Sequence, residues 1–339
     1  MIKEAIAQLV TGHSLSMSES AQVMAEIMEG QVTPAQFGAF VTALRLKGET
    51  VEEIAGMVQT MRDKAVHVNI DELVVDTCGT GGDNSATFNI STAAAFVVAG
   101  AGVKVAKHGN RAMSSKCGSA DVLEALGVKI ELTAEQVQRC LKEVGIGFMF
   151  APSFHPAMKY AAAPRREIGI RTVFNILGPL TNPAGAQAQV LGVADGALVE
   201  KMAKVLQFLG CKHALVVHSE DGLDELTVTG KTFICELRGN RLQNYSIIPE
   251  EVGLPRGKLD DLKGGTATEN AALLRDILSG KSGYAMDAVL LNAAGALLAA
   301  ERVETLADGV LFARGAIGTG RALDKLNSLI ELTRSFVKT

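Results

Sequence analysis

The feature that most restricts this chain is a change of period near residue 70. Before it, apolar residues recur at helical spacing; from residue 73, short apolar runs of strand length alternate with helical segments. Stretches 73–76, 103–107, 145–150, 189–193 and 214–218 read as strands, and 93–100, 120–126, 134–144 and 197–209 as helices. Such alternation specifies a mostly parallel sheet with helices on both faces. The expected fold is α/β, with a small all-helical domain (1–65) ahead of a large α/β domain (71–339). Residues 156–186 interrupt the alternation with a helical stretch that is expected to help complete the small domain. A β-rich section, 226–248, and a helical one, 269–337, follow.

Three capping boxes punctuate the first 65 residues: Ser16–Glu19, Thr33–Gln36 and Thr50–Glu53. In each, a hydroxyl caps an early backbone N–H and the acid or amide three residues on reaches back. Phe37, Phe40, Val41 and Leu44 form one apolar stripe; Val51, Ile54, Met57, Val58 and Met61 form another. Four short helices barely bury a core alone, so part of this apolar surface is expected to pack on the rest of the chain or on a second subunit.

Apolar residues make up 47% and aromatic ones only 4%, without tryptophan, so the core must be aliphatic and closely packed. A net charge of −4 excludes the broad positive field that non-specific nucleic-acid binding needs. The most apolar stretch, 93–105, is too short to span a bilayer. No signal-peptide pattern opens the chain, and five cysteines without C-x-x-C spacing read as reduced thiols. The expected location is the cytoplasm.

The chemistry concentrates at strand ends. Leu73 to Asp76 leads into Thr77-Cys78-Gly79-Thr80-Gly81-Gly82-Asp83, and then Thr87-Phe88-Asn89-Ile90-Ser91-Thr92 opens an alanine-rich helix. Glycines let backbone N–H groups approach an anion closely, and a helix N-terminus adds free donors and a positive dipole end. Ser91 and Thr92 are expected to cap that helix and offer hydroxyls. A G-T-G-G by itself is equally a plain tight turn, and neither a P-loop nor G-x-G-x-x-G is present. The second strand ends in Lys107-His108-Gly109-Asn110-Arg111-Ala112-Met113-Ser114-Ser115-Lys116, followed by Ser119, so Lys107, Arg111 and Lys116 are expected to cluster with serines. Ligands of open α/β sheets bind outside strand carboxyl ends, and two such loops together read as a phosphate site rather than a solvated face.

Asp224-Glu225 follows the strand ending at His218. Adjacent carboxylates there suit magnesium bridging substrate phosphates, although alone they would read as surface. In Ala163-Pro164-Arg165-Arg166-Glu167, a guanidinium fork could recognise a planar carboxylate, and the local sequence leaves open which arginine points inward. No G-x-S-x-G elbow occurs, and Cys78 lacks a paired base. His108 and His155 are candidate general bases or simply hydrogen-bonded histidines. Anion and metal clamps without covalent machinery point to group transfer with a diphosphate leaving group.

With these residues in view, the chain resembles the anthranilate phosphoribosyltransferase family over essentially its whole length. The resemblance rests on Cys78 to Asp83, Phe88 to Thr92, Lys107 to Arg111, Gly118 to Gly127 and Asn175-Ile176-Leu177-Gly178-Pro179-Leu180-Thr181-Asn182-Pro183. It implies a nucleoside phosphorylase/phosphoribosyltransferase-like fold, the helical domain hinged to the α/β domain, and a homodimer through the helical domains. It implies phosphoribosyl diphosphate and anthranilate as substrates. Gly79, Gly82, Asp83, Thr87, Asn89, Ile90, Ser91, Thr92, Lys107 to Ser115 and Ser119 would hold the first. Gly79, Asn110 and Arg165 would hold the second, and Ser91, Asp224 and Glu225 would bind magnesium, two ions. It assigns no catalytic acid or base; catalysis would be electrostatic and positional.

Three other readings compete. A pyrimidine nucleoside phosphorylase of the same fold would place Lys-His-Ser ahead of the glycine loop, where this chain has Asp76-Thr77-Cys78. A type I phosphoribosyltransferase needs an acidic pair before its T-G, whereas Asp76 stands alone. A non-enzymatic anion-binding module has no need of a carboxylate pair at a third strand end.

Overall fold

The computed structural model describes residues 1–83, 85–112 and 116–336; the expected site positions Met113, Ser114 and Ser115 lie outside the described residues. The chain opens with α1 (Ile2–Val10), α2 (Met17–Met28), α3 (Pro34–Lys47) and α4 (Val51–Asp63). All three capping boxes form, at the N-termini of α2, α3 and α4. Such caps contribute about 1 kcal/mol each, and the box of α4 does more. Its Glu53 is fully buried, pairs with Lys47 at 2.9 Å and accepts from Leu15 N at 2.9 Å, which fixes the turn ahead of α2.

Seven strands follow: β1 (Val74–Gly79), β2 (Lys104–Gly109), β3 (Ile146–Phe150), β4 (Ala188–Gly192), β5 (His213–Ser219), β6 (Thr232–Arg238) and β7 (Arg241–Ile247). They form one sheet in the order β3-β2-β1-β4-β5-β6-β7. The first five are parallel, and the β6–β7 hairpin adds antiparallel to β5. Strands β1 and β2 run on to glycines that the apolar pattern alone excludes. A ladder needs backbone groups rather than side chains, and Gly79 pairs with Gly192 as Gly109 does with Phe150.

Between the strands lie α5 (Ile90–Gly100), α6 (Ser119–Leu126), α7 (Ala134–Glu143), α8 (Ala151–Phe154), α9 (Lys159–Ile168), α10 (Phe174–Leu177) and α11 (Val199–Phe208). After the hairpin come α12 (Ala267–Leu278), α13 (Tyr284–Ala299), α14 (Leu306–Gly318) and α15 (Arg321–Ser335). Helices α5 and α13 are apolar on nearly every side because both are buried, packed on each other and on the sheet. Among the described residues, no helix is long and apolar enough to cross a membrane.

The core lies in two layers. One joins one sheet face to α5–α7 and α12–α15. The other runs from α1–α4 through α9 and α10 to α11 and the opposite face of β4–β6. The stretch after β3 returns to the N-terminal helices: α9 packs on α2 and α3, and the Phe174 ring lies 5.1 Å from that of Phe37. Arg62 of α4 donates to Leu180 O at 2.8 Å.

Candidate active site at the strand carboxyl ends

Strand β1 sits between β2 and β4, so successive connections leave it in opposite directions. That reversal opens a crevice at the carboxyl ends, where α/β sheets bind ligands. Its floor is the paired glycines Gly79 and Gly192. The loop after β5 folds back so that Asp224 lies over both. A Cβ on Gly79 would strike the Asp224 carboxylate, and one on Gly192 its backbone carbonyl. Gly81 N donates to Asp224 Oδ2 at 2.6 Å, and Thr80 N to Gly192 O at 3.0 Å. Gly81 and Gly82 adopt φ of 65° and 78°, the left-handed region that a side chain resists.

Glu225 lies close to the N-terminus of α5, where the backbone at Ser91 favours its charged form. Asn292 of α13 grips the next residue, Leu226, at both its N–H (3.0 Å) and its carbonyl (2.8 Å), which locks the acid pair in place. Burial, with Asp83 nearby, raises the Asp224 carboxyl to about 6. Burial and the charge of Asp224 raise Glu225 to about 8. Two carboxylates held this close cost free energy until a cation offsets them. Among the described residues no three His, Cys, Asp or Glu side chains form a metal cage. The two carboxylates and the Ser91 hydroxyl are oxygen donors only, a chemistry that fits a hard cation keeping water and substrate oxygens as further ligands.

Lys107 projects from β2 beneath the same turn. It is buried, and its Nζ donates to Thr77 O at 2.5 Å and faces Ser91 Oγ at 3.4 Å. Burial lowers its pKa, and the charge of Asp76 opposes that. Asp76 is itself fully buried, accepting from His108 N (3.3 Å) and Asn182 Nδ2 (2.8 Å). The rings of His108 and His155 lie 5.1 Å apart. Burial, and for His108 also its neighbour His155, pushes them down to about 3 and about 4. Both are neutral at physiological pH and weak as bases. Cys78 has its thiol pushed well up by burial, which makes it inert.

Two local expectations need correction. Ser91 and Thr92 do not cap α5; they lie inside its first turn, and Asn89 holds the N-cap position with its side chain turned elsewhere. That side chain bonds Cys117 O at 3.1 Å and Asn270 Nδ2 at 3.0 Å, joining the loop to α12. The second correction concerns the basic cluster. Lys107 is buried under β1, whereas Arg111 turns outward to Asp121 (3.2 Å) and Glu124 on α6, and Lys116 is exposed. Asp121 is itself fixed by the Ala112 and Gly118 N–H groups that donate to it.

Of the remaining positions, Asp83 contacts the Ser85 hydroxyl, Thr87 bridges to Lys263, and Ile90 is buried. Asn110 is exposed, and its carbonyl accepts from Ser119 Oγ at 3.3 Å. The two arginines of α9 separate: Arg166 is exposed, while Arg165 is half-buried over the Phe174 ring at 5.4 Å and donates to Phe174 O. Sequence reasoning passed over Gly192 and Arg171, and gave Asn182 no role of its own within the motif Asn175 to Pro183. Only Gly192 carried a local signal, a glycine at the end of an apolar run.

Known proteins match this arrangement along the whole chain. The helical bundle domain of the glycosyl transferase family matches residues 3–65, and its a/b domain matches residues 71–323. An anthranilate phosphoribosyltransferase of Chloroflexus aurantiacus is 60% identical over 335 residues, covering 98% of this chain and 99% of its own. The chain belongs to the anthranilate phosphoribosyltransferase family. A Dehalococcoides mccartyi member is 58% identical over 99% of both chains. The Thermus thermophilus anthranilate phosphoribosyltransferase superimposes with a TM-score of 0.93 at 45% identity, covering 97% of this chain and 99% of that one. The Saccharomyces cerevisiae member, solved in complex with PRPP and Mg, gives 0.91 at 27% identity over 99% and 98%. The protein is therefore a glycosyl-transferring enzyme of this family, and the pyrimidine nucleoside phosphorylase reading falls.

Proposed function

We propose that the protein transfers the phosphoribosyl group of phosphoribosyl diphosphate to the amino group of anthranilate, giving N-phosphoribosyl anthranilate and diphosphate. The observation that carries this reading is the convergence of the glycine turn, the α5 N-terminus and the acid pair on one switch point. The phosphoribosyl diphosphate site comprises Gly79, Gly82, Asp83, Thr87, Asn89 to Thr92, Lys107 to Ser115 and Ser119. Ser91, Asp224 and Glu225 would hold magnesium, as two ions, which would offset charge on the diphosphate.

The C1–O bond breaks with its electron pair leaving on the diphosphate, and the amine lone pair forms the new C1–N bond. The anilinium proton is then lost to solvent. The glycine turn and the N-terminus of α5 face the charge as it develops, where fixed dipoles act most strongly, and the buried Lys107 adds positive charge from below the turn. An aromatic amine is already neutral at pH 7, so it needs placement more than deprotonation. Arg165 and Asn110, together with Gly79, supply that placement from the carboxylate side. Two weakly basic histidines agree with such a mechanism.

The small domain comprises residues 1–65 with part of 156–186, hinged to a large domain of 71–339, and closure excludes water. Val10 and Leu46 are exposed on the helical domain, which supports a homodimer through it. Five free thiols support a cytoplasmic location. The test is to mix protein, phosphoribosyl diphosphate, magnesium and anthranilate and to follow anthranilate fluorescence. Loss dependent on all the components is expected; an unchanged signal overturns the reading.

A further inference from the structure

We propose that Arg171 supplies a positive charge to the leaving diphosphate, delivered from the helical-domain side of the crevice. This rests on the phosphoribosyl-transfer reading above. Arg171 belongs to the short link between α9, which packs on α2 and α3, and α10, whose Phe174 stacks near Phe37. It is exposed, yet its guanidinium reaches across to the glycine turn of the large domain. Its Nη2 donates to Thr80 O at 3.3 Å. The guanidinium also occupies the space where a side chain on Gly82 would begin, so the bare glycine is what admits it.

No ion pair holds this cation, although its charge acts on the nearby Asp224 carboxyl. Arg111, Arg139 and Arg256 each face a carboxylate. Among the described residues, no carboxylate lies within ion-pair distance of Arg171, and its recorded partner is a single neutral carbonyl. Around the turn the acids outnumber the bases: Asp83, Asp224 and Glu225 face the crevice, and Lys107 is engaged below it by Thr77. A diphosphate adds more negative charge to this place. A guanidinium presents several donors in a planar fork suited to phosphate oxygens, and Arg171 is the one that overhangs the turn meant to hold them. Because it rides on the helical-domain stretch, its approach couples closure to the departing charge.

The test uses the whole protein and inorganic diphosphate with magnesium, measured by calorimetry, for the wild type and Arg171→Lys, Arg171→Gln and Arg171→Ala. Charge-assisted contacts of this kind imply that Gln and Ala weaken diphosphate binding by roughly 10- to 100-fold. Lys should lose less, and added guanidinium ion should restore binding to Arg171→Ala. In turnover, the anthranilate KM should stay within about twofold while kcat/KM for phosphoribosyl diphosphate falls. Gln keeps an N–H for Thr80 O without the charge. Wild-type binding by Arg171→Gln would therefore make Arg171 a backbone staple and overturn the proposal, as would indifference of all three variants. Diphosphate binding that depends on Arg171 in a protein that consumes no anthranilate would sink the transfer reading and leave Arg171 standing.

Discussion

Two loops border the crevice, and they hold themselves in opposite ways. The turn after β1 has no charged side chain before Asp83; its backbone is tied to Asp224, to the end of β4 and to Arg171. The loop after β2 is rich in charge, yet Arg111 and the Ala112 and Gly118 N–H groups are already committed to Asp121 and Glu124. Formal charge in the sequence is therefore a poor measure of charge available to a ligand. In a chain of net charge −4, what a loop can offer an anion is set by the groups its own contacts leave over rather than by its formal charge.

The contrast can be broken most severely at the acid pair. Asp224→Asn with Glu225→Gln should lower magnesium-dependent turnover by at least about 1000-fold, and a magnesium titration with unaltered midpoint and rate would refute the metal role. Next comes Gly79→Ala, which drives a methyl into the Asp224 carboxylate. It should cost about 100-fold or more in kcat/KM, against a smaller loss for Arg111→Ala, whose guanidinium is shared with Asp121 and Glu124. Comparable losses in both would erase the distinction between the loops. Arg165→Ala should raise the anthranilate KM by roughly 10- to 100-fold with little change for phosphoribosyl diphosphate; equal loss of both would show that Arg165 does not clamp the carboxylate.

The smallest effect concerns the floor beneath the second loop. Burial pushes His108 and His155 down to about 3 and about 4 in the fold, against about 6.5 in the unfolded chain. The unfolded chain thus binds more protons between about pH 6.5 and 3, so stability falls as pH drops through that window. His155→Gln should shrink the drop in melting temperature between pH 7 and pH 4.5 by about 2–4 °C relative to wild type. Asp224 and Glu225 contribute with the opposite sign above pH 4 and cancel in that difference. An identical drop in both proteins would remove the histidine from the account.

Legibility in the sequence followed locality. Capping boxes, strand–helix alternation and the acid pair are each written within a few consecutive residues, and each formed. Arg165 and Arg166 are adjacent and chemically identical, so only burial over Phe174 separates them. Gly192 and Gly79 matter because a parallel ladder sets them side by side under Asp224, and Arg171 because α9 carries it back across the crevice. These are contacts between residues far apart in sequence, and no local pattern encodes them. The fate of Arg111 was hidden for a related reason: the competing acids Asp121 and Glu124 sit on a helix whose facing surface appears only after folding.

The second apolar layer has a further implication. Side chains of α1–α4 share one unbroken core with α11 and the back of β4–β6, even though the two family domains meet only near residue 70 of the sequence. Thermodynamically the two modules are one unit, since cutting between them would strip the cover from α11 as well as from the bundle. Heating should therefore produce one calorimetric transition rather than two. Splitting the gene at the linker should yield two sticky halves instead of two working parts.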